Sequence, residues 1–398
     1  MEFIKSNRMS KVKGSAIREI FKLAGDPNVI SLAGGNPSPD TFPNKELAEI
    51  AAKLLAEEPV TALQYGVTEG YVPLKNKVKE MLSEKEGIDV EKNELLIVSG
   101  GQQGIDLLTK SVVNEGDTVI VEEPSFIGAL NAFRSYGANL VGVPLEEDGI
   151  CIEKLEKAIA ENKNVKMLYL IPTFQNPSGK TMSWEKRKKV YDIAVKNNIL
   201  IIEDNPYGEL TFSGIKEKTI KSIDTEGIVV YCGSFSKVIA PALRVGYAIG
   251  APEIIGTMVI AKQANDVHTS MLPQLLTYEY LTKYDFDANL ENTRKLYAHK
   301  CSLMIEAMEK YFPKQITYTV PKGGLFIWCD MNGDYNTQEI AKICVKKNVV
   351  FVPGATFMVD GEKPCSCFRL NYSTMSDEKI VEGIKILGEA LTEIIENK

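Results

Sequence analysis

Histidine is scarce in this chain, with only His268 and His299 among 398 residues. A metal centre built on several imidazoles is therefore not expected, and a Ser–His–Asp apparatus has few candidates. The seven cysteines are odd in number, scattered, and contain no Cys-x-x-Cys pair. Such usage points to reduced, mostly buried thiols and a cytoplasmic setting. No apolar run approaches the roughly 18 residues needed to cross a bilayer. The opening stretch MEFIKSNRMSKVKGS lacks the apolar core of an export signal, so no membrane partner is expected. Positive charge is not in excess either. With a net charge of −7, binding to nucleic acid through bulk electrostatics is not expected.

What is present is an ordinary globular composition, 44% hydrophobic and 25% charged. At 398 residues the chain exceeds one core of usual size, so two domains are expected. From about residue 44 to 290, short β-branched runs alternate with helix-length amphipathic segments. The expected strands are Leu95–Val98, Thr118–Val121, Asn139–Val143, Lys166–Leu170, Ile199–Ile202, Ile228–Tyr231 and Val245–Ile249. Trp184–Lys196, with Val190, Ile193 and Ala194 on one face, typifies the intervening helices. This rhythm predicts an α/β domain over 44–290, a mainly parallel seven-stranded sheet covered by helices on both faces. After about residue 285 the pattern becomes α+β. A charged helix (Asp287–Lys310) leads to strands near Ile316–Val320, Leu325–Cys329 and Cys367–Leu370, then a final amphipathic helix, Ser376–Ile395. Residues 1–43 and 291–398 are expected to form this smaller domain.

In an α/β sheet, ligands bind beyond the carboxyl ends of the strands. Chemistry-bearing residues fall at those places here. The first expected strand is followed by Ser99-Gly100-Gly101-Gln102-Gln103-Gly104 and a helix. Small residues at such a turn leave backbone N–H groups free to hold a phosphate, although a plain tight turn reads the same way. The ends of Lys166–Leu170, Ile199–Ile202 and Ile228–Tyr231 deliver Asn176-Pro177-Ser178-Gly179, then Asp204-Asn205-Pro206-Tyr207, then Ser234-Phe235-Ser236-Lys237 with Arg244 shortly after. Turn chemistry explains any one of these. It does not explain an amide, a carboxylate, a phenol, two hydroxyls, an amine and a guanidinium on successive ends.

This ordered set, NPSG…DNPY…SFSK…R, resembles that of the pyridoxal-phosphate (PLP)-dependent class I/II aminotransferases of fold type I, over nearly the whole chain. Within them the chain is similar to the 2-aminoadipate/kynurenine aminotransferase subgroup. Ser15-Ala16-Ile17-Arg18-Glu19-Ile20, Ser31-Leu32-Ala33-Gly34-Gly35-Asn36-Pro37 and Leu63-Gln64-Tyr65-Gly66 carry that likeness.

The resemblance implies roles residue by residue. Lys237 would condense with the PLP aldehyde and later shuttle the substrate Cα proton. Asp204 would face the pyridine nitrogen and keep it protonated, where a turn or cap carboxylate is the plainer reading. Asn176 and Tyr207 would donate to the ring's phenolic oxygen, and Phe126 would stack on the ring in place of the tyrosine many relatives carry. Ser234, Ser236, Arg244 and the backbone at Gly101 and Gln102 would hold the phosphate. Gly101 is a further departure, since relatives often place a hydroxyl there. Arg369, in Cys367-Phe368-Arg369-Leu370, would bind the substrate α-carboxylate, unless it serves a structural salt bridge. Gly35 and Asn176 would flank the substrate.

Tyr65 would reach the phosphate in a neighbouring subunit, which implies a homodimer with shared sites. Arg18 would lie on an N-terminal segment covering the substrate and meet a side-chain carboxylate. A surface arginine is the alternative. The implied reaction moves an amino group from an L-amino acid to a 2-oxo acid such as 2-oxoglutarate, in two half-reactions. A PLP lyase or decarboxylase on the same scaffold stays open, because the cofactor supports both outcomes. A PLP-sensing module of a transcription regulator would bring a basic winged-helix extension, which this acidic sequence is not expected to have. The segment around Lys237 lacks the spacing of a Walker nucleotide loop.

Overall fold

The computed structural model describes residues 5–10, 12 and 28–397. Arg18 and the motif around it lie outside the described residues. Ile30–Ser31 forms a first short strand, β1. A large sheet follows from β2 (Glu94–Val98), β3 (Thr118–Glu123), β4 (Asn139–Glu146), β5 (Gly149–Ile150), β6 (Val165–Leu170), β7 (Leu200–Asp204), β8 (Val229–Ser234) and β9 (Gly246–Gly250). Their order in space is β2-β9-β8-β7-β6-β3-β4-β5. The β4–β3–β6–β7–β8 run is parallel throughout. β9 runs antiparallel to both of its neighbours, β2 and β8.

Seven of these strands are the ones expected from sequence. The eighth, β5, is a two-residue strand antiparallel to β4, too short to show a pattern of its own. The parallel strands form because their Val, Ile and Leu side chains are buried on both faces, as at Ile201, Ile202, Val229 and Val230. Each such burial stabilises by about 1.5–3 kcal/mol. That is the reserve against which polar groups at the strand ends are desolvated. The helices between strands have identifiable ends. Ser183 caps Trp184–Asn197 by accepting from the Lys186 N–H, and left-handed Asn198 (φ 52°) closes it.

Chain order reverses around β3, which has β4 on one side and β6 on the other. Crevices open at the carboxyl ends of strands near such a switch. β9 crosses close to the β2 and β8 ends, where a Cβ on Gly246 would sit 2.9 Å from the Gly233 carbonyl and 3.0 Å from Gly100 Cα. Only glycine permits that approach.

A second sheet contains β10 (Thr317–Tyr318), β11 (Phe326–Asp330), β13 (Val352–Pro353) and β14 (Cys367–Asn371), all antiparallel in the order β10-β11-β14-β13. β12 (Val349–Val350) pairs in parallel with β1. Two long helices, Phe286–Tyr311 and Asp377–Glu396, pack on one another beside it. The first runs unbroken through residue 290. Ser376 caps the second by accepting from the Lys379 N–H. The strip after β1 joins this second sheet: the Leu32 carbonyl accepts from the Asn371 N–H at 2.8 Å.

Candidate active site

A cavity of about 380 Å³ opens where the carboxyl ends of β2, β3, β6, β7 and β8 meet the strip after β1 and the strands β11 and β14. Gly35, Gly101, Gln102, Phe126, Asn176, Asp204, Tyr207, Ser234, Ser236, Lys237, Arg244 and Arg369 all line it. The sequence alone had brought these residues together. Tyr65 is not among the lining residues. It is 81% exposed and meets His268 edge-on at 5.7 Å.

Lys237 ends a single 3₁₀ turn, Phe235–Lys237, that follows β8 directly. Ser234 fixes that turn by accepting from the Ser236 N–H and by donating its hydroxyl to Ser236 Oγ at 3.0 Å. The Lys237 ammonium donates to the Gly35 carbonyl at 2.7 Å. Burial, then the charges of Arg369 and Arg244, bring it down to about 8. An amine held there is available as a nucleophile or base near neutral pH.

Asp204 closes β7 and is 5% exposed. Burial raises its carboxyl to about 7, opposed by a hydrogen bond from the Tyr169 hydroxyl. That bond reaches Oδ2 at 2.7 Å from the middle of β6. Nearby, buried Glu122 accepts from the Ile171 N–H at 3.0 Å, and burial lifts it to about 8.

The loop bearing Asn176 is braced by its neighbours. The Gln175 side chain donates to the Pro124 carbonyl at 2.7 Å and accepts from the Ser178 N–H at 2.8 Å. Fully buried Arg187 donates to the carbonyls of Met182, Lys218 and Pro172, at 3.0, 3.1 and 2.9 Å. Asn176 thereby presents its amide N–H to the Tyr207 hydroxyl at 3.3 Å and its oxygen to Arg369 at 2.9 Å. Burial holds the Tyr207 phenol protonated.

Arg369 stands on β14 opposite Trp328 and is 3% exposed. Its guanidinium donates to Asn176 Oδ1 and to the Ala33 carbonyl, the latter at 2.8 Å. It lies 4.1 Å from the Phe326 ring centre. Its buried Nε has no hydrogen-bond partner among the described residues. Burial lowers its affinity for the proton to about 10, still leaving a cation at neutral pH. No carboxylate meets it among the described residues.

The Gly101–Val112 helix begins at the cavity wall, with Gly100 (φ 80°) before it and no side-chain cap. Its first amides lack intrahelical acceptors and favour an anion. The Arg244 guanidinium lies against Gly100, whose ideal Cβ would be 2.6 Å from Nη2, and donates to the Ser99 carbonyl at 2.8 Å. Gln102 reaches across to the Gly128 carbonyl at 2.9 Å.

Sequence reasoning did not single out Tyr169, Glu122, Phe326, Ile105 or Ile127, which support or line the cavity. Tyr169 and Phe326 lie inside apolar strands and read as core. Glu122, one residue from the end of β3, reads as a solvated strand end.

The model of the aminotransferase class I and II family matches residues 27–387. The chain is 38% identical to aromatic-amino-acid aminotransferase 1 of Thermococcus litoralis, over 98% of this chain and 94% of that one. It is 39% identical to the 2-aminoadipate transaminase of Thermus thermophilus, over 96% and 94%. Its fold superposes with a TM-score of 0.91 on the solved alpha-aminoadipate aminotransferase of Thermus thermophilus, which is complexed with N-(5′-phosphopyridoxyl)-L-leucine. That pair is 36% identical over 99% of this chain and 98% of the other. The cavity suits a phosphorylated pyridine aldehyde, since it offers a free amine, a buried acid, hydroxyls and a guanidinium beside a helix start. The chain belongs to the class I and II aminotransferases, in the subgroup of the 2-aminoadipate and kynurenine enzymes, and is a transaminase of fold type I with pyridoxal 5′-phosphate as its cofactor.

Proposed function

We propose that the enzyme moves the amino group of an L-amino acid to a 2-oxo acid such as 2-oxoglutarate, by a ping-pong course. 2-Aminoadipate, glutamate, aromatic and aliphatic amino acids are the donors considered. The observation that carries this reading is Lys237, a half-buried cavity-lining amine brought down to about 8, whose hydrogen bond inside the cavity goes to a backbone carbonyl. When bound, PLP supplies the electron sink that makes the substrate Cα proton removable.

The chain's own residues do the rest. Lys237 holds the cofactor and carries the proton away from Cα. Asp204 keeps a cation beside it, because a buried carboxylate favours a protonated partner. Asn176 and Tyr207 orient the ring's oxygen, and Phe126 packs on its face. Ser234, Ser236, Arg244 and the amides at Gly101 and Gln102 take the phosphate. Arg369, whose Nε has no partner among the described residues, takes the α-carboxylate beside Gly35 and Asn176.

Donor breadth is supported by apolar lining at Ile105, Ile127, Ile171 and Phe326. Arg18 would add the charge that recognises a dicarboxylic donor. A homodimer with shared sites is supported by the exposed Val60, Leu63, Tyr65, Val67 and Val72, an apolar stretch of the sort that partners cover. No helix among the described residues is long and apolar enough to cross a membrane, and all seven cysteines are free. A cytoplasmic location and two domains, 44–290 and 1–43 with 291–398, complete the proposal.

The test is the absorbance of the purified protein before and after glutamate or 2-aminoadipate is added. The expected result is stoichiometric conversion of the bound cofactor to pyridoxamine phosphate, with release of the matching oxo acid. Loss of carbon dioxide or of the side chain instead would show a lyase. In Arg18→Ala, KM should rise for dicarboxylic donors and stay level for aromatic ones. Equal effects on both would remove Arg18 from recognition.

A further inference from the structure

Behind the start of the Gly101–Val112 helix lies a polar cluster that the reaction does not use. Lys262 is fully buried on the helix Pro252–Gln263. Its ammonium donates to both oxygens of Asp266 at 2.9 Å and to Gln103 Oε1 at 2.7 Å. Asp266 Oδ2 also accepts from the Gln103 amide at 2.8 Å and from the Ser99 hydroxyl at 3.1 Å. Gln103 Oε1 takes the Ser99 N–H at 2.7 Å. Ser99 is thus gripped at its amide and its hydroxyl. Its remaining backbone group, the carbonyl, accepts from Arg244 Nη2 at 2.8 Å.

The Lys262 side chain of this pair is buried and the Asp266 side chain is 28% exposed, and apolar residues of similar volume often stabilise a site as well as a buried charge pair does. An ion pair kept here fixes geometry that packing alone would leave looser. The geometry in question is the Ser99-Gly100-Gly101 turn, which sets both the direction of the helix amides and the seat of the Arg244 fork. Arg244 itself sits in the left-handed region (φ 54°), and its guanidinium is held by the Ser99 carbonyl.

We propose that Lys262 and Asp266 are positioning residues for the phosphate end of the cofactor site, acting through Ser99 and Gln103 on Arg244 and the helix start. The proposal rests on the reading of Arg244 and those amides as the phosphate seat.

The test compares the dissociation constants of pyridoxal 5′-phosphate and of pyridoxal, which lacks the phosphate, for wild type, Asp266→Asn, Lys262→Met and the double variant. Wild type should prefer the phosphorylated form. Each single variant should weaken that form by about tenfold, the loss of one charge-assisted contact, and leave pyridoxal unchanged. The double variant should lose no more than the worse single one, because the two side chains act as a unit. Equal weakening of both ligands, or none, overturns the proposal, since a role in folding alone does not discriminate a phosphate. If Asp266→Asn does not fold, Lys262→Met carries the same comparison. A wild type without preference for the phosphorylated form would instead overturn the phosphate-seat reading, and the proposal with it.

Discussion

Tyr169→Phe removes one oxygen from the protein and keeps the ring that meets Phe133 edge-on at 5.5 Å. Packing in β6 is preserved, so the change isolates the hydrogen bond to Asp204 Oδ2, which is 2.7 Å long. Hydrogen bonds to a charged group contribute about 1.5–3 kcal/mol net. One pKa unit corresponds to about 1.4 kcal/mol, so the Asp204 carboxyl should climb by about one to two units. It starts from about 7. In the variant the acid would be neutral at physiological pH and would favour a protonated ring nitrogen less. Tyr169 does not line the cavity, so substrate contacts stay as they are. The expected result is cofactor binding and kcat each lower by roughly tenfold, with KM for the amino donor within about twofold of wild type. Equilibrium dialysis of the cofactor and steady-state kinetics measure both, and a pH titration of the loaded protein's visible absorbance should shift. Unchanged affinity, kcat and titration would refute the coupling of Tyr169 to Asp204.

Burial holds Glu122, Glu203 and Asp204 above the ordinary carboxylate range, at about 8, about 7 and about 7. The folded protein keeps protons there that the unfolded chain has already lost. Stability of the cofactor-free form should therefore fall as pH rises from about 5 to about 7, by about 1.4 kcal/mol per unit for each such group. A Tm that holds steady or rises across that window contradicts this. Arg369→Lys loses the fork that bonds Asn176 and Ala33 and the stacking on Phe326. KM for amino donors should rise roughly tenfold with kcat less affected. A fall in kcat at constant KM contradicts the assignment. At Gly101 an added Cβ would come no nearer than 3.7 Å to Asp204 Oδ1 and 4.0 Å to Ser234 Cβ. Gly101→Ser should thus fit and tighten cofactor binding a few-fold through one more hydroxyl. Weaker binding in a dialysis assay would show that the space is needed.

Strands buried on both faces announce themselves as short, mostly apolar runs, and β6, β7 and β8 were legible in the sequence from Met167–Leu170, Leu200–Ile202 and Val229–Cys232. Their carboxyl ends were legible for the opposite reason. Asp204 ends β7, and Asn176 and Lys237 follow the ends of β6 and β8, a set of polar residues that a turn alone does not require. Tyr169 stayed hidden because its hydroxyl acts from between Leu168 and Leu170, both core residues of β6. Lys262 and Asp266 read as an ordinary helix end, i to i+4, and nothing in that spacing reveals that the ammonium is fully buried. β5 is set by a turn rather than by a pattern. Tyr65, expected from sequence near the phosphate of a neighbouring subunit, lies exposed on this chain.

Covalent attachment of the cofactor to Lys237 is the centre of the account, and borohydride reduction of the pure protein followed by peptide mass spectrometry tests it directly. A reduced pyridoxyl-phosphate adduct is expected on the peptide that contains Lys237, and none in Lys237→Ala. An adduct on a different lysine, or none in the wild-type protein, would contradict it.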